Sequence, residues 1–153
     1  MHSLCRKLCF LLIFACAVLW GENTSDSERQ QAIRFVNKAI EFAEKHGKDS
    51  LLRAINQTNS EFLKNEMYVF AYDTNGNIIA HPVNSKIIGK NLLDIPDIEG
   101  KFFRREIVEK GKIQDTAWID YRYKNPDNGI IENKSTFIHR IGGIIIACGI
   151  YRK

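Results

Sequence analysis

The sequence predicts an α+β domain in which a long N-terminal helix packs on a five-stranded antiparallel sheet. Three observations support this fold class: apolar residues recur at helical spacing between residues 32 and 43, β-rich segments dominate after residue 67, and turn signals separate them. A length of 153 residues fits one domain, and 44% hydrophobic with 26% charged residues is ordinary globular composition. We therefore expect helices to cover one face of the sheet and the other face to serve another use.

The first 21 residues have the layout of a secretory signal peptide. Two basic residues precede an apolar run over residues 8–20, after which the chain turns abruptly polar. The run is shorter than the roughly 20 residues that a membrane-spanning helix needs. This favours export to the periplasm, with cleavage after Gly21, over an uncleaved membrane anchor. A lipidated Cys16 is a third alternative.

Charge, cysteines and motifs exclude several classes of function. The formal net charge of +4 becomes smaller without the signal peptide, which carries no acidic residue, so we expect no nucleic-acid partner. Cys148 would be the remaining cysteine and is typical of a small buried hydrophobe. The sequence has no zinc spacing, phosphate-binding glycine loop or nucleophile elbow, and Asp94, Asp97 and Glu99 form a solvated acidic group. We expect no metal, no cofactor and no catalytic residue.

Helical signals precede the strands. Ser25 lies three residues before Glu28, the spacing of a capping box, and Gly47 supplies a stop signal. A second, shorter helix should follow over residues 48–63, with Asp49 or Ser50 as its N-cap. The predicted division of the chain is 1–21 signal peptide, 22–48 long N-terminal helix and 49–153 domain core.

Hairpin signals connect the predicted strands. Asn75-Gly76 is a strong hairpin turn because both residues tolerate positive φ. The segment 126–129 and the pair Gly142-Gly143 predict the later turns. A helix over 100–111 separates the second strand from the third. The predicted strands are 67–73, 77–81, 113–125, 130–141 and 144–153.

His81 ends the second strand at an unusual place, because Pro82 bars regular continuation of the sheet. The chain then makes a polar excursion over residues 83–99. Strand alternation places His81 on the same face as Ile79. Two interpretations stay open: an imidazole bonded to a loop carbonyl, or a hydrogen-bond donor at the mouth of a pocket under a loop lid.

The third and fourth strands carry further candidates. Trp118 and Tyr121 fall on opposite faces of one strand, so only one of them can line a given pocket unless a bulge shifts the register. Lys134 lies inside a strand that is otherwise rich in β-forming residues. It is either an edge charge that deters aggregation or a cation that receives a carboxylate.

Five segments follow one another in this order: YVFAYDTNGNIIAHPVNSKIIGKNLLDI, GKFFRREIVEKGK, WIDYRYKNPDNG, ENKSTFIHRI and CGIY. Together they resemble a single Cache domain of the second type over about residues 49–151. This family of extracytoplasmic sensor modules has a PAS-like fold. The resemblance implies a pocket on one sheet face, typically for short carboxylates such as acetate, propionate, pyruvate or lactate. It places His81, Trp118, Tyr121 and Lys134 at the ligand, whereas Phe137 replaces an aromatic hydroxyl that is common in the family.

The resemblance also implies a role in signal transduction and chemotaxis. We expect a stand-alone periplasmic protein that binds a small carboxylate and relays occupancy to a membrane receptor or sensor kinase. A homodimer through the N-terminal helix is a further expectation. The alternative is an interaction module that has lost ligand binding and docks a receptor or another copy of itself. Acid–base catalysis by His81 is a third interpretation, and we do not expect it.

Overall fold

The computed structural model describes residues 24–152, so the predicted signal peptide and Cys16 lie outside the described residues. The elements in chain order are α1 (Thr24–His46), α2 (Lys48–Ile55), β1 (Leu63–Lys64), β2 (Met67–Asp73), β3 (Ile78–Ala80), α3 (Phe103–Ile113), β4 (Thr116–Lys124), β5 (Ile131–Ile141) and β6 (Ile144–Arg152). Within this range no helix combines the length and the apolar character that crossing a membrane requires. The predicted α+β fold class is confirmed.

The strands form one antiparallel sheet in the order β1-β2-β6-β5-β4, and β3 pairs with β2. Strand β5 is therefore interior, with β4 and β6 on its two sides. In this register Lys134 lies between Tyr121 of β4 and Tyr151 of β6. The sequence does not predict β1, because a two-residue strand is too short to show an alternating pattern.

The sheet has two apolar faces because successive side chains along each strand point in opposite directions. The α1 face packs against α1 and α2 and includes Val69, Ile146 and Ile150. The α3 face packs against α3 and residues 81–102, which we call the cover loop. Its buried strand residues are Tyr68, Phe70, Tyr72, Ile78, Ile119, Tyr121, Ile138, Ile145 and Ala147.

Helix α1 covers its face with small residues. Ala32, Val36, Ala39 and Ala43 are buried at steps of three and four residues, as the predicted periodicity requires. Short side chains along this stripe allow the helix axis to lie close to the sheet. The long N-terminal helix packed on the sheet is thus confirmed.

Helix α2 differs from its prediction at both ends. Its N-cap is Gly47, whose φ of 84° is favourable for glycine, and no side chain caps the helix. Asp49 and Ser50 lie inside the first turn, so the predicted cap at either residue is wrong. The helix ends at Ile55, so its predicted continuation to residue 63 is wrong.

The predicted β2–β3 hairpin forms, but its turn is wider than a two-residue turn. Gly76 has a φ of 92°, whereas Asn75 does not adopt positive φ. The Asp73 carboxylate instead accepts hydrogen bonds from the backbone N–H groups of Asn75 and Asn77 at 2.9 and 2.8 Å. A Cβ at Gly76 would lie 2.6 Å from Leu93 Cγ, so glycine also allows the cover loop to pack on the turn.

Candidate functional site

Lys134 is buried in the interior of the sheet. It lies on β5, which has a neighbouring strand on each side, and its relative exposure is 1%. A lysine that deters edge pairing has to stand on an edge strand in contact with water. The edge-charge interpretation is therefore wrong. A fully buried lysine is rare in proteins and needs a specific explanation.

Hydroxyl groups and aromatic rings surround the Lys134 amine. Its Nζ donates hydrogen bonds to Tyr68 Oη at 2.8 Å and to Tyr151 Oη at 3.1 Å. The rings of Phe70 and Tyr123 have their centroids 5.7 and 5.2 Å from Nζ. Among residues 24–152 no carboxylate lies within ion-pair distance of this amine. Burial lowers the pKa of Lys134 to about 7, because a low-dielectric environment disfavours the charged form.

Gly149 on β6 provides the space that the Lys134 side chain occupies. A Cβ at this position would overlap Lys134 Cε and would lie 2.8 Å from Thr136 Oγ1. Any other residue would therefore push the buried lysine out of its position. The glycine of the CGIY segment is a structural requirement of the site.

His81 lies directly after β3 and is 6% exposed. Its ring centroid is 5.1 Å from that of Tyr68 and 5.7 Å from that of Phe70, so the imidazole lies on the α3 face. Ile79 packs with the core of the α1 face. The prediction that His81 shares a face with Ile79 is wrong, because β2 and β3 pair irregularly and the chain leaves the sheet after Ala80.

The hydrogen bonds of His81 identify it as a neutral donor. Its Nδ1 accepts a hydrogen bond from the backbone N–H of Asn84 at 3.1 Å, rather than donating to a loop carbonyl. Burial lowers the pKa of His81 to about 3, and the charges of Lys134 and Arg104 contribute to this shift. The ring is therefore uncharged at neutral pH. Because Nδ1 is an acceptor, we assign the ring proton to Nε2.

Tyr121 places a second neutral hydroxyl on the α3 face. Its hydroxyl forms a hydrogen bond of 2.8 Å with Thr136 Oγ1, and burial raises its pKa well above the ordinary value. Its ring stacks on Phe103 of α3, with centroids 3.9 Å apart and an interplanar angle of 6°. Tyr121 thus links α3 to β4 and β5 beside the buried lysine.

Trp118 lies on the opposite side of the sheet from the other three predicted site residues. Its ring packs against Phe137, with centroids 5.3 Å apart, and the Arg29 guanidinium of α1 lies 4.4 Å from its centroid. These contacts belong to the α1 face. The structure therefore brings His81, Tyr121 and Lys134 to one face and leaves Trp118 on the other.

The family model described as Single Cache domain 2 matches residues 32–152. The chain belongs to this family. Cache domains are sensor or ligand-binding modules, and they are typically periplasmic. The predicted resemblance to a Cache domain is confirmed.

Known proteins similar to this Cache domain include a chemotaxis protein, a chemosensory domain and a sensor histidine kinase. A methyl-accepting chemotaxis protein from Vibrio parahaemolyticus RIMD 2210633 has a TM-score of 0.72 at 16% identity, covering 84% of this chain and 90% of that chain. A Cache chemosensory domain described in terms of carboxylic acid recognition has a TM-score of 0.70 at 18% identity, covering 87% and 99%. The sensor histidine kinase MctS of Rhizobium johnstonii is 34% identical over 71 residues, 46% of this chain and 15% of the kinase. The structural similarities show the fold, and the chain spans only a small part of that kinase.

Arg104 is a second buried cation of the Cache domain, and it is not among the predicted site residues. It lies on α3, is 7% exposed, and its Nη1 donates to the backbone oxygen of Ile95 at 3.1 Å. A usable signal exists in the sequence, because Arg104 stands three and four residues before the buried Ile107 and Val108. A charged residue on the buried stripe of a helix points to a specific role.

The first part of the cover loop is fixed to β3 by backbone hydrogen bonds. The Ile78 N–H donates to Lys90 O at 3.0 Å, and the Gly89 N–H donates to Ile78 O at 2.7 Å. Leu92 and Leu93 then pack against the α3 face. The segment 83–99, predicted as a lid, therefore lies on the α3 face in a defined conformation.

Asp97 fixes the second part of the cover loop to β4. Its carboxylate accepts hydrogen bonds from the backbone N–H groups of Arg122 at 2.8 Å, Glu99 at 3.0 Å and Lys101 at 2.9 Å. Desolvation acts to raise the pKa of Asp97, but these three bonds outweigh it and lower the pKa below the ordinary value. Asp97 is thus a structural acceptor rather than a solvated acid.

A groove of about 920 Å³ lies next to the site, between α1 and the end of β6. Arg34 and Lys38 of α1 line it together with Gly149 and Tyr151, but Lys134 does not. Volume alone would place a ligand there. We place the site at Lys134 instead. Burying a cation costs free energy and therefore requires a specific role, whereas an open groove between charged surface residues carries no such cost.

Proposed function

We propose that the chain is an extracytoplasmic sensor domain that binds a short carboxylate between the α3 face and the cover loop. The observation that supports this proposal is the uncompensated charge of Lys134. Its amine is buried and contacts two hydroxyl groups, with no carboxylate of residues 24–152 within ion-pair distance. A ligand carboxylate would supply the missing charge, and a charge-assisted hydrogen bond is stronger in such a site than in water.

The neighbours of Lys134 suit an anion. His81 is uncharged and has Nε2–H as its donor, so it adds a hydrogen bond without a charge of its own. Tyr68 contacts both residues, because its hydroxyl accepts from Lys134 and its ring packs on His81. Tyr121 is the remaining neutral hydrogen-bond donor that we propose for the site. Aromatic rings around these groups provide the apolar surroundings that most small-molecule sites share.

The proposed output is a change in a partner protein. The relatives are chemotaxis receptors and a sensor kinase, which supports a receptor or kinase as partner and a small molecule as signal. Ligand contacts with the cover loop would change its hydrogen bonds to β3 and β4, which gives a route from the site to the surface. Export through an N-terminal signal peptide and pairing of two copies through α1 are further parts of the proposal.

A thermal melt of the full-length chain against a panel of short carboxylates and amino acids tests the proposal. A ligand at one hundred times its dissociation constant adds about 2.7 kcal/mol of stability, which moves the midpoint by roughly 5–10 °C in a domain near this size. The shift should disappear in Lys134→Met and persist in Lys112→Met, which changes an exposed lysine of α3. A flat panel with all three proteins folded would contradict ligand binding and would favour an interaction module.

A further inference from the structure

Arg104 presents a second buried cation on the same face as Lys134. Its guanidinium carbon lies 4.2 Å from the ring centroid of Phe103, and one of its five N–H donors bonds to the carbonyl of Ile95 in the cover loop. No carboxylate of the described range, residues 24–152, makes an ion pair with it. Two desolvated cations therefore stand on one face without a compensating acid.

Two shared neighbours bring the cations into one site. The Tyr123 ring centroid lies 5.2 Å from Lys134 Nζ and 5.8 Å from Arg104 Cζ. Both charges also act on His81 and lower its pKa, as expected when they approach the same ring. Lys134 and Arg104 thus both approach the Tyr123 ring, one cation from β5 and the other from α3.

We propose that the ligand is a short carboxylate with a second oxygen acceptor, in which the carboxylate binds Lys134 and the second acceptor binds Arg104. This inference rests on the proposed carboxylate-binding function. The second acceptor is a carboxylate, a carbonyl or a hydroxyl oxygen on the same carbon chain. A simple alkanoate would satisfy Lys134 and would leave Arg104 with the neutral Ile95 carbonyl and Tyr72 hydroxyl as its partners. A site built to hydrogen-bond a second acceptor discriminates against a ligand that lacks this acceptor far more than against a ligand that lacks one methylene.

Calorimetry on the full-length chain with matched ligand pairs tests the inference. Butyrate against succinate and propionate against lactate and pyruvate change the second acceptor at constant chain length. We expect at least one two-acceptor ligand to bind about tenfold more tightly than its alkanoate partner, or better. In Arg104→Gln the two-acceptor ligand should lose more affinity than its alkanoate partner, so that this advantage is lost. Arg105→Gln is the matched control, because the adjacent arginine is exposed and pairs with Asp94.

The outcomes separate this inference from the proposed function. Equal affinities within every pair, or an Arg104→Gln variant that weakens both members equally, would overturn the role of Arg104 and leave carboxylate binding intact. A folded wild-type chain that binds none of the five acids would contradict the proposed function itself. Should Arg104→Gln fail to fold, the wild-type comparison of butyrate with succinate and of propionate with lactate and pyruvate decides the question alone.

Discussion

Replacing Lys134 with methionine is expected to raise the free energy of unfolding at neutral pH. The folded protein lowers the pKa of this lysine from 10.5 to about 7 by burial. A difference of that size corresponds to roughly 5 kcal/mol of unfavourable free energy for the charged amine in the folded state. Methionine removes the charge at similar volume but leaves the Tyr68 and Tyr151 hydroxyls without this donor, which costs about 1–3 kcal/mol. The expected net gain is about 2–4 kcal/mol.

The expected gain in the free energy of unfolding depends on pH, because the folded and unfolded states bind different numbers of protons. A lysine whose pKa is lower in the folded state binds fewer protons there, so wild-type stability rises with pH between about 7 and 10.5. Across that window the advantage of Lys134→Met over wild type should shrink by about 1.4 kcal/mol per pH unit. Below about pH 7 the amine is charged in both states, so the advantage should be constant and at its largest.

Urea unfolding of the full-length chain at about pH 6, 7.5 and 9 measures this difference. These values lie below the titration of the buried tyrosines, because burial raises the pKa of Tyr68 and Tyr121. Lys112→Met serves as the control and should change stability little at any pH. The reasoning would be refuted by a Lys134→Met protein that is less stable than wild type by the same amount at pH 6 and pH 9. Such a result would mean that the fold compensates the buried charge.

Three further predictions concern ligand binding, packing and the cover loop. Carboxylate affinity should be constant below pH 7 and fall about tenfold per pH unit above it, because binding needs the charged Lys134 amine. Calorimetry should show no such fall in Lys134→Arg, because the guanidinium stays charged over this range. Gly149→Ala should cost about 1–3 kcal/mol and abolish the ligand-induced shift in a thermal melt, since its Cβ displaces Lys134; an unchanged shift would contradict this. Asp97→Ala should lower the free energy of unfolding by about 1 kcal/mol at pH 7, because it removes the acceptor of three backbone N–H groups. The pKa of Asp97 is lower in the folded state, so this loss should vanish in acid, as the pH falls from 3.8 through the folded-state value.

Local signals predict most of the fold because they act over a few residues. The apolar residues from Ala32 to Ala43 recur at helical spacing, and Asn75-Gly76 predicts a hairpin independently of residues far away in the sequence. The cap of α2 is missed for the same reason. Asp49 and Ser50 are good caps by propensity, but the chain already turns at Gly47, one residue before the helix begins.

The faces of the sheet are harder to assign because they depend on contacts far apart in the sequence. Alternation correctly separates Trp118 from Tyr121, but it does not say which of them the N-terminal helix covers. Lys134 poses the same problem, since its meaning depends on whether β5 is an edge or an interior strand. Only the strand order β1-β2-β6-β5-β4 decides that question.

The residues that are unfavourable in their own helix or strand lie close together, and this clustering supports a functional role for them. Lys134 in an interior strand, Arg104 on the buried stripe of α3 and Gly149 within β6 each lower the local stability of the element that carries them. Gly149 and Lys134 are in direct contact, and the charges of Lys134 and Arg104 act on the same histidine. Isolated errors of packing would be scattered over the sheet. The clustering supports the proposed binding site, whose cost in stability the α1 face and the cover-loop hydrogen bonds would offset.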